Sequence, residues 1–269
     1  MKRWIPSRYS LTSLLLVAVI FWSSCAPAPS EIPVETNPLT IVFVHGAWAG
    51  GWHYTKVQPL LEEAGHTVYR PTMTGLGERV HLGGPDVGLS THIEDIVKVL
   101  EFEDLYEIVL VGHSYGGMVI AGVADRVPER IAKLVFFDAI LPEDGESVAN
   151  LFGDAIDTMA TAGGGGAEPW QLVPRWVEEG KLPPVDVPQP MLTFTEPIGL
   201  ANPQAARLPA VFLLTVEAGK EVDDYDVFAD RARDRGWEVV EMGGSHNPHW
   251  FQPEAFVDVL LQVLEVVES

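Results

Sequence analysis

The sequence predicts an α/β fold, a mostly parallel and doubly wound sheet interrupted by an inserted cap. Three observations predict it. Short apolar, β-branched runs alternate with helix-period patterns along most of the chain, the order that yields a parallel sheet covered on both faces. One serine lies between two glycines, Gly112-His113-Ser114-Tyr115-Gly116, where an apolar run gives way to a helical pattern. That is the edge where open α/β sheets place their sites. From Leu141 to about Leu208 the periodicity dissolves into a proline-rich stretch with four consecutive glycines, Gly163 to Gly166. Such a stretch reads as an excursion from the sheet with the composition of a lid or cap.

Ahead of the sheet stands a segment of another kind. Lys2, Arg3 and Arg8 precede an apolar run from Leu11 to Trp22, which ends at Ser23-Ser24-Cys25. The run is shorter than the roughly 20 residues that span a bilayer, so residues 1–24 read as an export signal. Cys25 is the only cysteine, which excludes an intrachain disulfide. Its setting resembles the lipobox of bacterial lipoproteins, in which the cysteine is lipidated and becomes the mature N-terminus. Trp22 departs from that pattern, and plain signal cleavage is the alternative. Residues 25–39, rich in proline, read as a tether. The expected location is outside the cytoplasm, either lipid-anchored to a membrane or secreted.

The domain then spans residues 40–269. Thr40 to His45 reads as a buried strand, and Trp52 to Ala64 as a helix stopped by Gly65. His66 to Arg70 is a second strand, and Pro71 to Leu89, with five glycines and two prolines, is expected to be loop. Ser90 is placed to cap a helix carrying Ile93, Ile96, Val97 and Leu100 on one face. Ile108 to Val111 is the strand before the serine, Tyr115 to Arg126 the helix after it, and Ile131 to Phe137 a strand closed by Asp138. Beyond the cap, at about 141–208, come strand Ala210 to Thr215, helix Asp224 to Arg235 and strand Trp237 to Met242. A final helix has Phe256, Val259, Leu260, Val263 and Leu264 on one face.

Charge narrows the partners. The chain has 17 Lys+Arg against 38 Asp+Glu, a net charge of −21. That balance repels phosphate backbones and argues against nucleic acid. Nothing in the sequence bears on oligomeric state.

The serine motif by itself is weak, because the glycines also suit an ordinary tight turn. Its context makes it a candidate nucleophile elbow, in which a sharp strand-to-helix turn exposes the serine oxygen. Side chains at 112 and 116 would collide in such a turn, so both are glycine. A serine hydroxyl needs a base within hydrogen-bond reach, and among the eight histidines His246 stands in the loop after the last predicted strand. His249 is its rival. His113 adjoins the serine, yet consecutive residues in the turn point apart, and His45 is read as fixing the first loop. The base needs a carboxylate. Asp138 ends an apolar strand, where a buried charge is costly without a partner. Glu217, in the loop after the late strand, is the alternative acid. Oxyanion donors are expected from the backbone N–H groups of Ala47 and Tyr115, with Gly46 allowing close approach. Trp48, Trp52, Tyr115, Phe152 and Trp170 are candidates for an apolar pocket, although aromatic residues are more often core.

With Ser114, Asp138, His246 and His45-Gly46 in this order, the chain resembles the α/β-hydrolase superfamily over residues 40 to 267. The stretches VHGAWAGGW, TGLGERVHL, EDLYEIVLVGHSYGGMVI and LVFFDAILPEDGES are similar to those of bacterial esterases related to plant methylesterases and hydroxynitrile lyases. The resemblance implies a cofactor-free serine hydrolase that binds no metal and acts on a small-molecule ester. The lyases carry a threonine after the first-strand histidine and a lysine after the catalytic histidine, where this chain has Gly46 and Asn247. That favours an esterase over a lyase. The family's usual Asp after the late strand is missing here. In haloalkane dehalogenases the acid ends the earlier strand, as Asp138 does. The leading expectation is a serine carboxylesterase working through an acyl-enzyme. The alternatives are lyase-like or lactonase activity, or a non-catalytic ligand-binding protein on the same fold.

Overall fold

The computed structural model describes Met1 and residues 37–153, 168–220 and 224–265. The leader, Cys25 and nearly all of the tether lie outside the described residues, as does the glycine run at 163–166. Among the described residues no helix is long and apolar enough to cross a membrane.

Six parallel strands form the sheet: β1 (Thr40–Val44), β2 (Thr67–Tyr69), β3 (Ile108–Ser114), β4 (Ile131–Ala139), β7 (Ala210–Val216) and β8 (Glu238–Gly243). Their spatial order is β2-β1-β3-β4-β7-β8. Strand side chains alternate between faces, and both faces here are apolar. Val42, Val44, Leu110, Phe136 and Phe212 pack beneath α2 (Leu89–Phe102), α3 (Gly116–Arg126) and α6 (Asp226–Asp234). Ile41, Phe43, Val111, Val135 and Leu213 face α1 (Val57–Glu63) and α7 (Pro253–Glu265). Apolar burial on two faces is what fixes the parallel sheet. The direction of winding reverses between β1 and β3, so the loops after these two strands meet at one crevice of the carboxyl edge.

The chain between β4 and β7 leaves the sheet. Its described parts are α4 (Val148–Phe152), a small antiparallel pair of β5 (Gln171–Leu172) and β6 (Gln189–Pro190), and α5 (Leu192–Thr195). A bidentate ion pair anchors the base of this excursion. Arg231 on α6 binds both oxygens of Glu146, at 2.6 and 2.8 Å, and donates to the Leu141 carbonyl.

Three local expectations need correction. The segment read as one helix from Trp52 to Ala64 divides into a 3-10 turn, Gly51–Tyr54, and α1. The cause is Pro59, which has no N–H to donate and is tolerated only in a helix's first turn. Helix α2 begins at Leu89 with Gly88 as its N-cap, so Ser90 is inside the first turn. The Ser90 N–H donates instead to Glu196 Oε2 at 2.9 Å, a carboxylate that arrives from the far side of the cap and suits the positive end of a helix. The stretch expected to be loop contains a 3-10 helix, Gly77–Leu82. Arg79 holds it by donating to the Thr72 carbonyl at 2.7 Å and to Thr74 Oγ1 at 3.0 Å.

Candidate active site

Ser114 is the last residue of β3 and has φ 53°, a left-handed conformation that costs energy for a residue with a Cβ. The glycines around it are sterically required. A Cβ at Gly112 would lie 2.7 Å from the Gly116 carbonyl oxygen, and one at Gly116 would lie 2.5 Å from the Val44 oxygen. The strand therefore turns into α3 with its backbone pressed against β1, and the serine is carried to the rim.

Asp138 reaches the site through a bulge. His113 pairs with Phe137 and Ser114 with Ala139, so Asp138 is the extra residue of β4. Its φ of 42° turns the side chain away from the alternation of the strand, as bulges do. The carboxylate is fully buried. Oδ1 accepts a hydrogen bond from the Thr215 N–H at 3.1 Å, and Oδ2 accepts one from His246 Nδ1 at 2.5 Å. With Nδ1 donating, the lone pair of His246 is on Nε2. The imidazole is about one-third exposed.

Glu217 is not at the site. It is exposed and pairs with Lys220 at 2.7 Å, in a turn closed by the Lys220 N–H donating to the Glu217 carbonyl at 3.1 Å. His249 is fully buried, with Nε2 3.3 Å from His53 Nδ1. His113 serves the loop of His246 by donating from Nε2 to the His246 carbonyl at 2.8 Å. His45 fixes the first loop as expected. Its Nδ1 donates to the Gly46 carbonyl at 2.9 Å, and its Nε2 accepts from the Met73 N–H at 3.2 Å. Burial holds its pKa down at about 4, so it is neutral at pH 7.

A cavity of about 620 Å³ opens onto Ser114 and His246 and includes Gly46, Ala47 and Asn247 in its wall. A Cβ at Gly46 would stand 3.1 Å from Ser114 Cβ and 2.9 Å from His113 Nδ1, so glycine brings the Ala47 segment up to the serine. Trp48, at φ 61°, is gripped by the excursion. Its N–H donates to Gln189 Oε1 at 2.7 Å, its Nε1 to the Leu172 carbonyl at 3.0 Å, and its carbonyl accepts from the Val187 N–H at 2.9 Å.

Of the aromatic residues expected to line a pocket, Trp48 and Trp52 do, joined by Trp176, Trp250 and Phe251. Tyr115, Phe152 and Trp170 are not in this wall. Tyr115 is buried, its hydroxyl donating to His92 Nδ1 at 2.9 Å; Phe152 packs on Phe228 and Trp170 lies against Gly83. Tyr225 is a site residue that sequence reasoning missed. Its hydroxyl is 2.9 Å from Ser114 Oγ, and its ring stacks on the His246 imidazole, with centroids 4.7 Å apart and planes 13° off parallel. No motif surrounds it, and only its place after the late strand hinted at the carboxyl edge.

The profile of the Alpha/beta hydrolase family matches residues 41–259. The chain is 38% identical over 228 residues to a carbendazim hydrolyzing esterase of Nocardioides sp. (strain SG-4G), covering 77% of this chain and 91% of that protein. It is 33% identical over 134 residues to methylesterase 1 of Arabidopsis thaliana, covering 48% of this chain and about half, 51%, of the relative. Among solved structures, an extracellular alpha/beta-hydrolase from a Paenibacillus species superposes with a TM-score of 0.70 at 25% identity, over 84% of this chain and 98% of that one.

Proposed function

The chain belongs to the alpha/beta hydrolase family, and from that premise we propose that it is a serine carboxylesterase acting on small to medium esters through an acyl-enzyme. The observation that carries this reading is the 2.5 Å hydrogen bond from His246 to the buried Asp138, with His246 lining the same cavity as the strained Ser114. Ser114 Oγ attacks the ester carbonyl carbon while His246 Nε2 takes its proton. The carbonyl oxygen becomes an oxyanion facing the Ala47 and Tyr115 N–H groups. His246 then gives the proton to the departing alkoxide, and a water activated by the same nitrogen cleaves the acyl-enzyme. Asp138 keeps the Nδ1–H tautomer and stabilises the imidazolium.

Hydrolysis of a short-chain nitrophenyl ester by the wild type, abolished in Ser114→Ala, tests the proposal. Equal inertness of both across ester lengths would sink it. Carbendazim belongs in the substrate panel because the esterase at 38% identity is named for hydrolysing it. A lyase is disfavoured: Gly46 and Asn247, which line the cavity, stand where the lyases carry threonine and lysine, so no ammonium directly follows His246.

The basic, apolar and small-residue order of residues 2–25 supports export and lipidation at Cys25. A diacylglyceryl-cysteine at the mature N-terminus, read by mass spectrometry, is the expected result. An unmodified terminus elsewhere overturns the anchor.

A further inference from the structure

Tyr225 touches both halves of the proposed machinery, and no part of the esterase reading uses it. Its backbone is firmly placed. It is the N-cap residue of α6, with its carbonyl accepting from the Phe228 and Ala229 N–H groups at 3.0 and 3.1 Å. Phe228, Ala229 and Ala232 bury that helix against the sheet. The hydroxyl thus reaches Ser114 Oγ from the start of a helix that packs on the sheet.

We infer that Tyr225 is a further catalytic residue, a hydroxyl donor that stabilises charge on Ser114 Oγ as its bond to the acyl carbon forms and breaks. The inference rests on Ser114 being the nucleophile. A phenol has an ordinary pKa near 10, so at neutral pH it keeps a proton that it can donate. With Tyr225 O–H donating to one lone pair of Oγ, the serine's own proton is left for His246 Nε2. During attack that proton moves to His246 while the second lone pair bonds to the carbonyl carbon, and the C=O π pair moves to the carbonyl oxygen. Negative charge gathers on Oγ before the new bond is complete, and the Tyr225 hydrogen bond strengthens there. In deacylation the C–Oγ bond breaks, Oγ leaves with the electron pair, and His246 returns a proton to it. The phenol meets the same charge in reverse and stays protonated throughout. Hydrogen bonds to charged partners are stronger than neutral ones, so the contact favours the transition states over the resting serine.

The ring has a second effect. Stacked on His246 at 4.7 Å, it limits rotation of the imidazole about the axis left free by the Asp138 hydrogen bond. Tyr225→Phe keeps this stack and removes only the hydroxyl, so it isolates the proposed donor.

The test compares wild type, Tyr225→Phe and Ser114→Ala, using turnover of a nitrophenyl ester and the rate of irreversible trapping by a nitrophenyl alkylphosphonate. Trapping reports the attack of Ser114 alone. Tyr225→Phe is expected to lower kcat and the trapping rate together, by about ten- to a hundredfold, the range set by one hydrogen bond to a charged group. KM and the thermal midpoint should change little. Unchanged or raised kcat overturns the inference, the latter marking the hydroxyl as an obstruction. A kcat loss with normal trapping also overturns it, since attack would not need the donor. Activity persisting in Ser114→Ala would instead defeat the nucleophile assignment, so the two failures are distinguishable.

Discussion

Asp138 and Glu217 differ in burial, and their proposed roles follow from it. Asp138 is fully enclosed and divides its oxygens between the Thr215 N–H and His246, whereas Glu217 is exposed beside Lys220. Asp138→Asn keeps the volume and a hydrogen bond but cannot stabilise an imidazolium, and its amide can select the wrong tautomer. Turnover should fall by up to about 10⁴-fold with the fold retained. Glu217→Gln should cost no more than a fewfold, because an exposed ion pair contributes little. Parallel measurement on one ester decides the matter, and the reverse order of losses would exchange the two roles. Asp138 was legible in the sequence because a charge ending Leu134-Val135-Phe136-Phe137 demands a partner. The bulge that aims it was not, since no residue type announces an extra position in a parallel ladder. Tyr225 was illegible for a similar reason. Its contact with Ser114 spans 111 residues, and a tyrosine at a helix start has many uses.

At the scale of elements, the strands were the most readable part, because a sheet buried on both faces needs unbroken apolar runs. All six appear within a few residues of where the pattern puts them. Helix starts were read less well. Glu196 provides an oxygen to the Ser90 N–H across 106 residues, and a cap supplied from another element leaves no mark near the helix it serves. Pro59 did leave a mark, but the apolar period on either side masked the break between the 3-10 turn and α1. The excursion between β4 and β7 was recognisable only by its lack of order. Its working contact, the grip of Gln189, Leu172 and Val187 on Trp48, joins segments that carry no complementary pattern. That grip holds a residue at φ 61° beside Ala47, so the excursion supports the loop next to the serine as well as walling the cavity.

Across the whole molecule, histidines couple the site to acid stability. Burial lowers His45, His53 and His92 to about 4 and holds His113 and His249 well below their ordinary range. An unfolded chain takes up these protons as pH falls through about 6.5, while the folded chain refuses those of His45, His53 and His92 until nearer 4 and those of His113 and His249 well below the ordinary range. The stabilisation is therefore complete above about 6.5 and is lost progressively as pH falls from there toward 4. Each histidine contributes up to about 1.4 kcal/mol per pH unit within that window. Carboxylates stay largely ionised over most of it, so relief of the −21 net charge offsets little. A lower urea midpoint at pH 5.5 than at pH 7.5 is expected, and an equal or higher one would show that these rings charge without penalty. The position of the acid has a consequence for the order in which the protein comes into being. Ser114 and Asp138 belong to adjacent strands, β3 and β4, and are made early. His246 follows β8, beyond the whole excursion, and its loop is tied down by His113. With the roles proposed above, a growing chain carries its nucleophile and its acid well before it owns a base. Under the proposed mechanism, ester cleavage begins only when β7 and β8 have joined the sheet, and an unfinished chain is expected to be inactive.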